Sequence, residues 1–242
     1  METPKMKVEI WSDVICPFCY AGKRKFEAAL EQFAHKDALQ IEWKSFEIDS
    51  AIANRIEPGM TIYDYLAKKR NVSYEESVAM HQTAVNMAKS VGLDYNFDKV
   101  VLSSSFNAHR IIQLAKEKGL AEAAEERLFH AYFTEGKDIG NPAELTELGK
   151  SIGLSADEVA EALTNEYYTE RVKQDITDAQ TAGVRRVPSY VIEGNYEAFG
   201  IQEPHAMLAF LQNAFSEWSQ QKNNSLVTAL EGDACTIDGD CT

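Results

Sequence analysis

Apolar and polar positions alternate from Lys7 to Ser12, with Val8 and Ile10 on one side and Glu9 and Trp11 on the other. That is the two-residue period of a strand. Cys16-Pro17-Phe18-Cys19 comes shortly after, and then Phe26, Ala29, Leu30 and Phe33 recur at helical spacing with charged residues between them. Leu39, Ile41 and Trp43 alternate with Gln40, Glu42 and Lys44, which predicts a second strand. The opening therefore reads β-α-β, with the two cysteines at the strand-to-helix turn.

From about residue 61 the pattern predicts helices only. Ser73 with Glu76 forms a capping box, and Met80, Ala84, Met87 and Val91 make one stripe, read as core, that Gly92 stops. Ala108, Ile111, Ile112 and Ala115 mark a helix ended by Gly119, and Ala124, Leu128, Ala131 and Tyr132 mark the next. Asn141, Pro142 and Glu144 supply a cap, a first-turn proline and a capping acid; Ser155 with Glu158 repeats the box. Strand character returns at Ser189 to Ile192, followed by a Gly194-Asn195 turn and Tyr196 to Phe199, a β-hairpin. Leu208, Leu211, Phe215 and Trp218 then predict a helix with Pro204 near its start; Gln220 to Ser225 reads as linker and the rest as loop or tail. The expected fold is α/β in the order β-α-β, helical block, β-β-α. Residues 1–60 and 176–222 would form one small domain, 61–175 an all-helical insertion into it, and 223–242 a C-terminal tail.

Composition narrows the function. The chain has 242 residues, 45% of them hydrophobic and 26% charged, which suits one or two globular domains. No apolar run is long enough to span a bilayer. The first ten residues contain no apolar h-region, so no signal peptide is predicted. A net charge of −14 repels phosphate backbones and anionic lipid, which argues against nucleic-acid and membrane partners.

The four cysteines, Cys16, Cys19, Cys235 and Cys241, form two close pairs at opposite ends of the chain. A Cys-x-x-Cys in a long chain points to redox or metal chemistry. Cys16 should sit at a helix N-terminus, where unpaired N–H groups and the dipole favour the thiolate. Cys19, one turn in, should be more buried and less ionised. Cys16 is then the exchanging thiol and Cys19 the resolving one. Pro17 removes a backbone donor and Phe18 adds apolar cover, so both should tune the reduction potential. Val187-Pro188 opens the strand expected beside this turn. Such bonds are usually trans, but the element order favours cis here. A cis Pro188 would leave the Val187 backbone free to pair with an extended peptide near Cys16, and would place a ring that binds no metal beside the sulfur. His109 reads as a structural histidine and Asp13 as a turn or cap residue. Asp233, Asp238 and Asp240 do not fit a calcium loop.

Three runs carry a resemblance. Val8 to Tyr20, including Ser12-Asp13-Val14-Ile15-Cys16-Pro17-Phe18-Cys19, resembles the opening of the FrnE-type branch of the DsbA family, within the thioredoxin superfamily. Ser105-Phe106-Asn107-Ala108-His109-Arg110 resembles the helical-domain signature of that branch, and Gly183 to Ile192 its cis-proline strand. With the element order, the similarity spans about residues 7–218. It implies a thioredoxin fold with a large helical insertion between the second strand and the cis-proline strand. It implies thiol–disulfide oxidoreductase or isomerase activity on protein or peptide thiols and disulfides, with no organic cofactor and no metal. It also implies Cys16 as nucleophile, Cys19 as resolving thiol and Pro188 as the cis proline. A small thiol or a thioredoxin-type protein would supply electrons, and the branch implies a cytoplasmic setting. Phe18 stands where many members carry Trp, and Lys44-Ser45 where Arg-Pro is common, which bears on substrate preference rather than on the chemistry.

Two other functions compete: a glutathione-dependent isomerase of the 2-hydroxychromene-2-carboxylate type, and a zinc module built from all four cysteines. The dithiol counts against the first and the ligand spacing against the second. Cys235 and Cys241 resemble the second pair that some FrnE-like proteins carry, which would relay electrons to Cys16–Cys19; an inert local disulfide or two free thiols is the alternative. The relay predicts that Cys235→Ser/Cys241→Ser loses disulfide-reductase or isomerase turnover. Parity with the wild type in both assays removes it.

Overall fold

The computed structural model describes residues 4–231, with the backbone alone over 222–231. Strand β1 (Met6–Ser12) leads through a tight turn into helix α1 (Pro17–Gln32) and back to β2 (Leu39–Ser45). The chain then forms α2 (Ile62–Arg70), α3 (Tyr74–Ser90), α4 (Phe106–Glu117), α5 (Ala121–His130), α6 (Pro142–Ser151), α7 (Ala156–Thr164) and α8 (Glu166–Thr181). A hairpin of β3 (Ser189–Ile192) and β4 (Tyr196–Phe199) and helix α9 (Pro204–Glu231) complete it. The sheet order is β2-β1-β3-β4, with β1 parallel to β2 and antiparallel to β3, so Ile10 lies between Trp43 and Tyr190.

The strand period sorts the side chains onto two faces. Met6, Val8 and Ile10 pack with Tyr190 and Ile192 against Phe26 and Ala29 of α1, Phe33 at its C-cap, and Met207, Leu211 and Ala214 of α9. Trp11 and Val191 point the other way, onto Ala179 of α8 and Val184. A third, larger core fills the helical block, and it includes Val14, Ile15, Cys16, Cys19 and Tyr20 from the β1–α1 turn. The expected active-site turn is thus packed by the helices as well as by the sheet.

The caps at Ser73/Glu76 and Ser155/Glu158 are formed as the spacing predicts, and Thr61 with Asp64 adds a third box at α2. Other details differ. Met80 is exposed, because the buried stripe of α3 runs through Ser77, His81, Ala84 and Ala88 instead. Glu144 leaves the capping bond and pairs with Lys137 at 3.0 Å, while Asn141 caps both Ala143 and Glu144. The hairpin places Glu193 and Gly194 in the left-handed region, one residue earlier than expected. The stretch 220–225 is not a linker but part of α9: it has no Gly or Pro to stop a helix, and Gln and Lys propagate one readily.

Asp175 of α8 ties the block to the sheet. Its carboxylate accepts the Ser45 N–H at 2.9 Å and Gln113 Nε2 at 2.6 Å, and pairs with Lys44 at 3.0 Å and Lys116 at 3.1 Å. Its backbone carbonyl accepts Trp11 Nε1 at 3.0 Å. Burial works against its ionisation, but Lys116, the Ser45 N–H and Lys44 prevail and hold its pKa below the ordinary carboxylate value. Asp175→Ala leaves the largely buried Lys116 without its anion and the Ser45 N–H without its acceptor, while Lys44 keeps Asp178 and Glu42, and is expected to cost about 3–5 kcal/mol of unfolding free energy. Urea denaturation measures this, and a loss within about 0.5 kcal/mol, as for an ordinary surface change, would mean the network is not a brace.

Candidate active site

Cys16 occupies the N-cap of α1 (φ −92°, ψ 112°), with Pro17 in the first helical position. The turn is closed by two backbone bonds, Cys16 N–H to Asp13 O at 2.9 Å and Cys19 N–H to Cys16 O at 3.0 Å. Pro17 suits this place because its missing N–H would have no helical partner. Both cysteines are free thiols; Cys16 keeps 4% of its surface exposed and Cys19 1%, so Cys16 is the more accessible. The Cys16 Sγ faces the Val187 carbonyl at 3.8 Å, and the Val187-Pro188 bond is cis. Phe18 projects outward, half-exposed. Cys16, Cys19, Pro17, Phe18, Val187 and Pro188 are therefore gathered in one place. Cys235 and Cys241 lie outside the described residues, and with them the electron relay and the four-cysteine zinc module.

Burial pushes the Cys19 thiol well above its ordinary pKa, and the adjoining Cys16 adds to the shift; the Asp13 N–H and the Ser12 hydroxyl act the other way. The group that organises the turn is Asp13. Its side chain is fully buried and accepts the N–H groups of Ile15 (3.3 Å) and Ile48 (2.7 Å). His109 of α4 lies against it, Nε2 at 3.4 Å from Asp13 Oδ1 and 2.9 Å from the Phe46 carbonyl. Burial opposes a charge on His109, but Asp13 first, then Glu125 and Glu47, outweigh it and raise its pKa. Glu125 of α5 is fully buried too. Burial pushes its pKa from 4.5 to about 7, although His109, Lys116 and Lys23 pull it down. His109 Nδ1 and Glu125 Oε2 have no hydrogen-bond partner among the described residues.

Two residues escaped the sequence reading. Tyr95, between α3 and α4, donates its hydroxyl to the Pro17 carbonyl at 2.7 Å, and its ring stacks on Phe133 at 4.5 Å. Nothing in the spacing around Tyr95 marks it. Gly22 lies inside α1 where a Cβ would meet Pro188 Cγ at 3.0 Å and Tyr190 Oη at 3.1 Å. It lets the helix approach the proline, and a glycine within an amphipathic helix is the signal that would have found it. His109 and Asp13 do have the structural roles expected of them, but as partners of each other.

Residues 7–212 match the family model of the DSBA-like thioredoxin domain. The probable DsbA oxidoreductase SCO1869 from Streptomyces coelicolor has a similar crystal structure, with a TM-score of 0.81 and 32% identity, over 88% of this chain and 91% of that one. The uncharacterized protein YwbO of Bacillus subtilis is 28% identical over 188 residues, 76% of this chain and 86% of its own length. The cytosolic disulfide reductase DsbM from Pseudomonas aeruginosa shares the fold at 17% identity and a TM-score of 0.60, over 87% of this chain and 98% of its own. The chain belongs to the DSBA-like thioredoxin-domain family, and the fold that the resemblance implied is the fold it has. No helix among the described residues is long and apolar enough to cross a membrane.

The buried acid makes stability depend on pH. Glu125 takes up a proton on folding, so its contribution is fully present below its ordinary pKa of 4.5 and is lost as pH rises through about 7. The raised His109 has the same sign. Glu125→Gln is expected to flatten the fall in unfolding free energy between pH 5 and pH 8, and to be the more stable protein at pH 8 by on the order of 2–3 kcal/mol. Denaturation across that range tests it; parallel profiles would refute the shift.

Proposed function

We propose that this DSBA-like family member is a protein dithiol–disulfide oxidoreductase and isomerase, with Cys16 the attacking thiol and Cys19 the resolving one. The observation that carries the reading is the arrangement at the α1 N-terminus. One sulfur is at the helix end, against the cis-proline loop. The other is buried behind it and held protonated.

The exchange follows in balanced steps. The Cys16 thiolate attacks a substrate disulfide; a bond forms between its Sγ and one substrate sulfur, and the other leaves as a thiolate. Cys19 then attacks Cys16 Sγ. The Cys16–Cys19 disulfide forms, the remaining substrate sulfur leaves, and the Cys19 proton goes to it. The dithiol has lost two electrons and the substrate disulfide has gained them. Run backwards, the same steps oxidise a substrate dithiol. If another thiolate of the same substrate attacks the substrate sulfur of the mixed disulfide before Cys19 reacts, a new substrate disulfide forms, Cys16 leaves as the thiolate, and the outcome is isomerisation with no net redox change.

Val187 and Pro188 would hold the backbone of the incoming chain, and Pro17 and Phe18 would tune the pair. A small thiol or a thioredoxin-type protein returns the electrons to the Cys16–Cys19 disulfide. Residues 1–60 with 176–222 supply the reacting groups, and 61–175 the packing that holds them. The FrnE-type branch, and the cytoplasmic setting that goes with it, rest on the three sequence runs. An isomerase that binds one small thiol would leave Cys19 without a role, which disfavours that alternative.

Cys16→Ser is expected to lower reduction of insulin disulfides at least about a hundredfold. Cys19→Ser should instead accumulate mixed disulfides through Cys16, recoverable by mass spectrometry. Full turnover by Cys16→Ser would remove the reading.

A further inference from the structure

In a chain of net charge −14, most described cations are tied up locally. Lys23 and Arg24 pair with Glu27 and Glu126, Lys25 with Glu203, and Lys44 and Lys116 with Asp175. Arg185 and Arg186 are among the described cations that are not tied up in this way, and they are the two next to the cis-proline. Both are exposed, and neither is ion-paired among the described residues. They immediately precede Val187, whose carbonyl faces the Cys16 sulfur.

The loop that carries them is fixed. Ser189 donates its hydroxyl to the Arg186 carbonyl at 2.6 Å, Gly200 N–H bonds to the Pro188 carbonyl at 2.7 Å, and Val184 N–H bonds to the Ala179 carbonyl at 2.8 Å. The Arg186 guanidinium lies 4.5 Å from the centre of the Phe199 ring on β4, which holds it in place without neutralising it. Together Arg185, Arg186 and Phe199 border a small cleft of about 110 Å³. Glu197, also on β4, is the one carboxylate lining that cleft, and it pairs with neither arginine. A guanidinium held by stacking and left without an anion is ready to bind a carboxylate through paired hydrogen bonds.

We propose that Arg185 and Arg186 select substrates by charge, so that the preferred disulfides are in polypeptide segments with Asp or Glu beside the cysteine. The proposal rests on the thiol-exchange reading and names the substrate class of that site. A polypeptide fits better than a small thiol. Phe199, under Arg186, and Phe18, within the cysteine turn, are both half-exposed rings, and an extended chain has apolar side chains to cover them. The global charge does not cancel this selection. An acidic side chain seated in the cleft meets Arg185 and Arg186 at contact range, whereas charges beyond about 8 Å from it are largely screened at physiological ionic strength.

The test uses disulfide-linked peptides of one length with Glu, Ser or Lys flanking the cysteine, assayed with the full-length protein at 0.05, 0.15 and 0.5 M salt. The wild type should reduce them in the order Glu, Ser, Lys, with the Glu peptide ahead of the Lys peptide by on the order of tenfold in kcat/KM at 0.15 M. That ratio should shrink at high salt. Arg185→Glu/Arg186→Glu should reverse the order and Arg185→Gln/Arg186→Gln should abolish it, while both leave turnover of the Ser peptide near wild type. An unchanged order in both variants, or no order in the wild type, overturns the charge selection even though the Ser peptide still turns over. Failure of the Ser peptide itself in the wild type marks the loss of the thiol-exchange reading instead. Oxidised glutathione is run alongside; reduction faster than the Glu peptide, and equally sensitive to the arginine variants, would overturn the polypeptide assignment.

Discussion

A carboxylate with no exposed surface, at Asp13, is the constraint from which the geometry of the cysteine turn follows. Burying such a group is costly unless its charge is met on several sides. Here the partners come from the turn itself and from two distant parts of the chain: the Ile15 N–H in the turn, the Ile48 N–H after β2 and the His109 ring on α4. Satisfying one charge therefore sets three segments in register. The same residue's carbonyl holds the Cys16 N–H, so the N-terminal end of α1 is placed by the arrangement that places α4.

The helical block is thus part of the turn's structure rather than an appendage. Cys16 and Cys19 belong to its core, and Tyr20 of α1 stacks on Phe129 of α5 at 4.9 Å. On the opposite flank Asp175 performs a similar duty, joining β2, α4 and α8 around one buried anion. Helix α8 reaches both regions, with Tyr168 in the helical core and Ala179 against Trp11. Buried charges of this kind add little net stability, but they penalise any other docking of helices on sheet.

Features governed by neighbours in sequence were legible beforehand. The alternation in β1, the Ser73 and Ser155 boxes, the hairpin and the cysteine turn each follow from contacts within a few residues. Features governed by distant partners were not. Asp13 read as a turn residue, which it is, but its link to a histidine 96 positions away leaves no local trace. Met80 fits a buried stripe by pattern alone; the structure buries Ala84 of that stripe together with Ser77, Ala88 and His81, the last ringed by Tyr63 and Phe97, and leaves Met80 exposed. Polarity alone suggests a linker at 220–225, but a polar run free of helix breakers continues the helix.

The phenol of Tyr95 touches the peptide between the two cysteines from a segment some eighty residues downstream. Under the proposed exchange, a hydrogen bond to that carbonyl would stiffen the very loop that carries both sulfurs. A change at Tyr95, in the stretch between α3 and α4, would then be able to reset the driving force of that exchange while every letter of Cys-Pro-Phe-Cys stays the same.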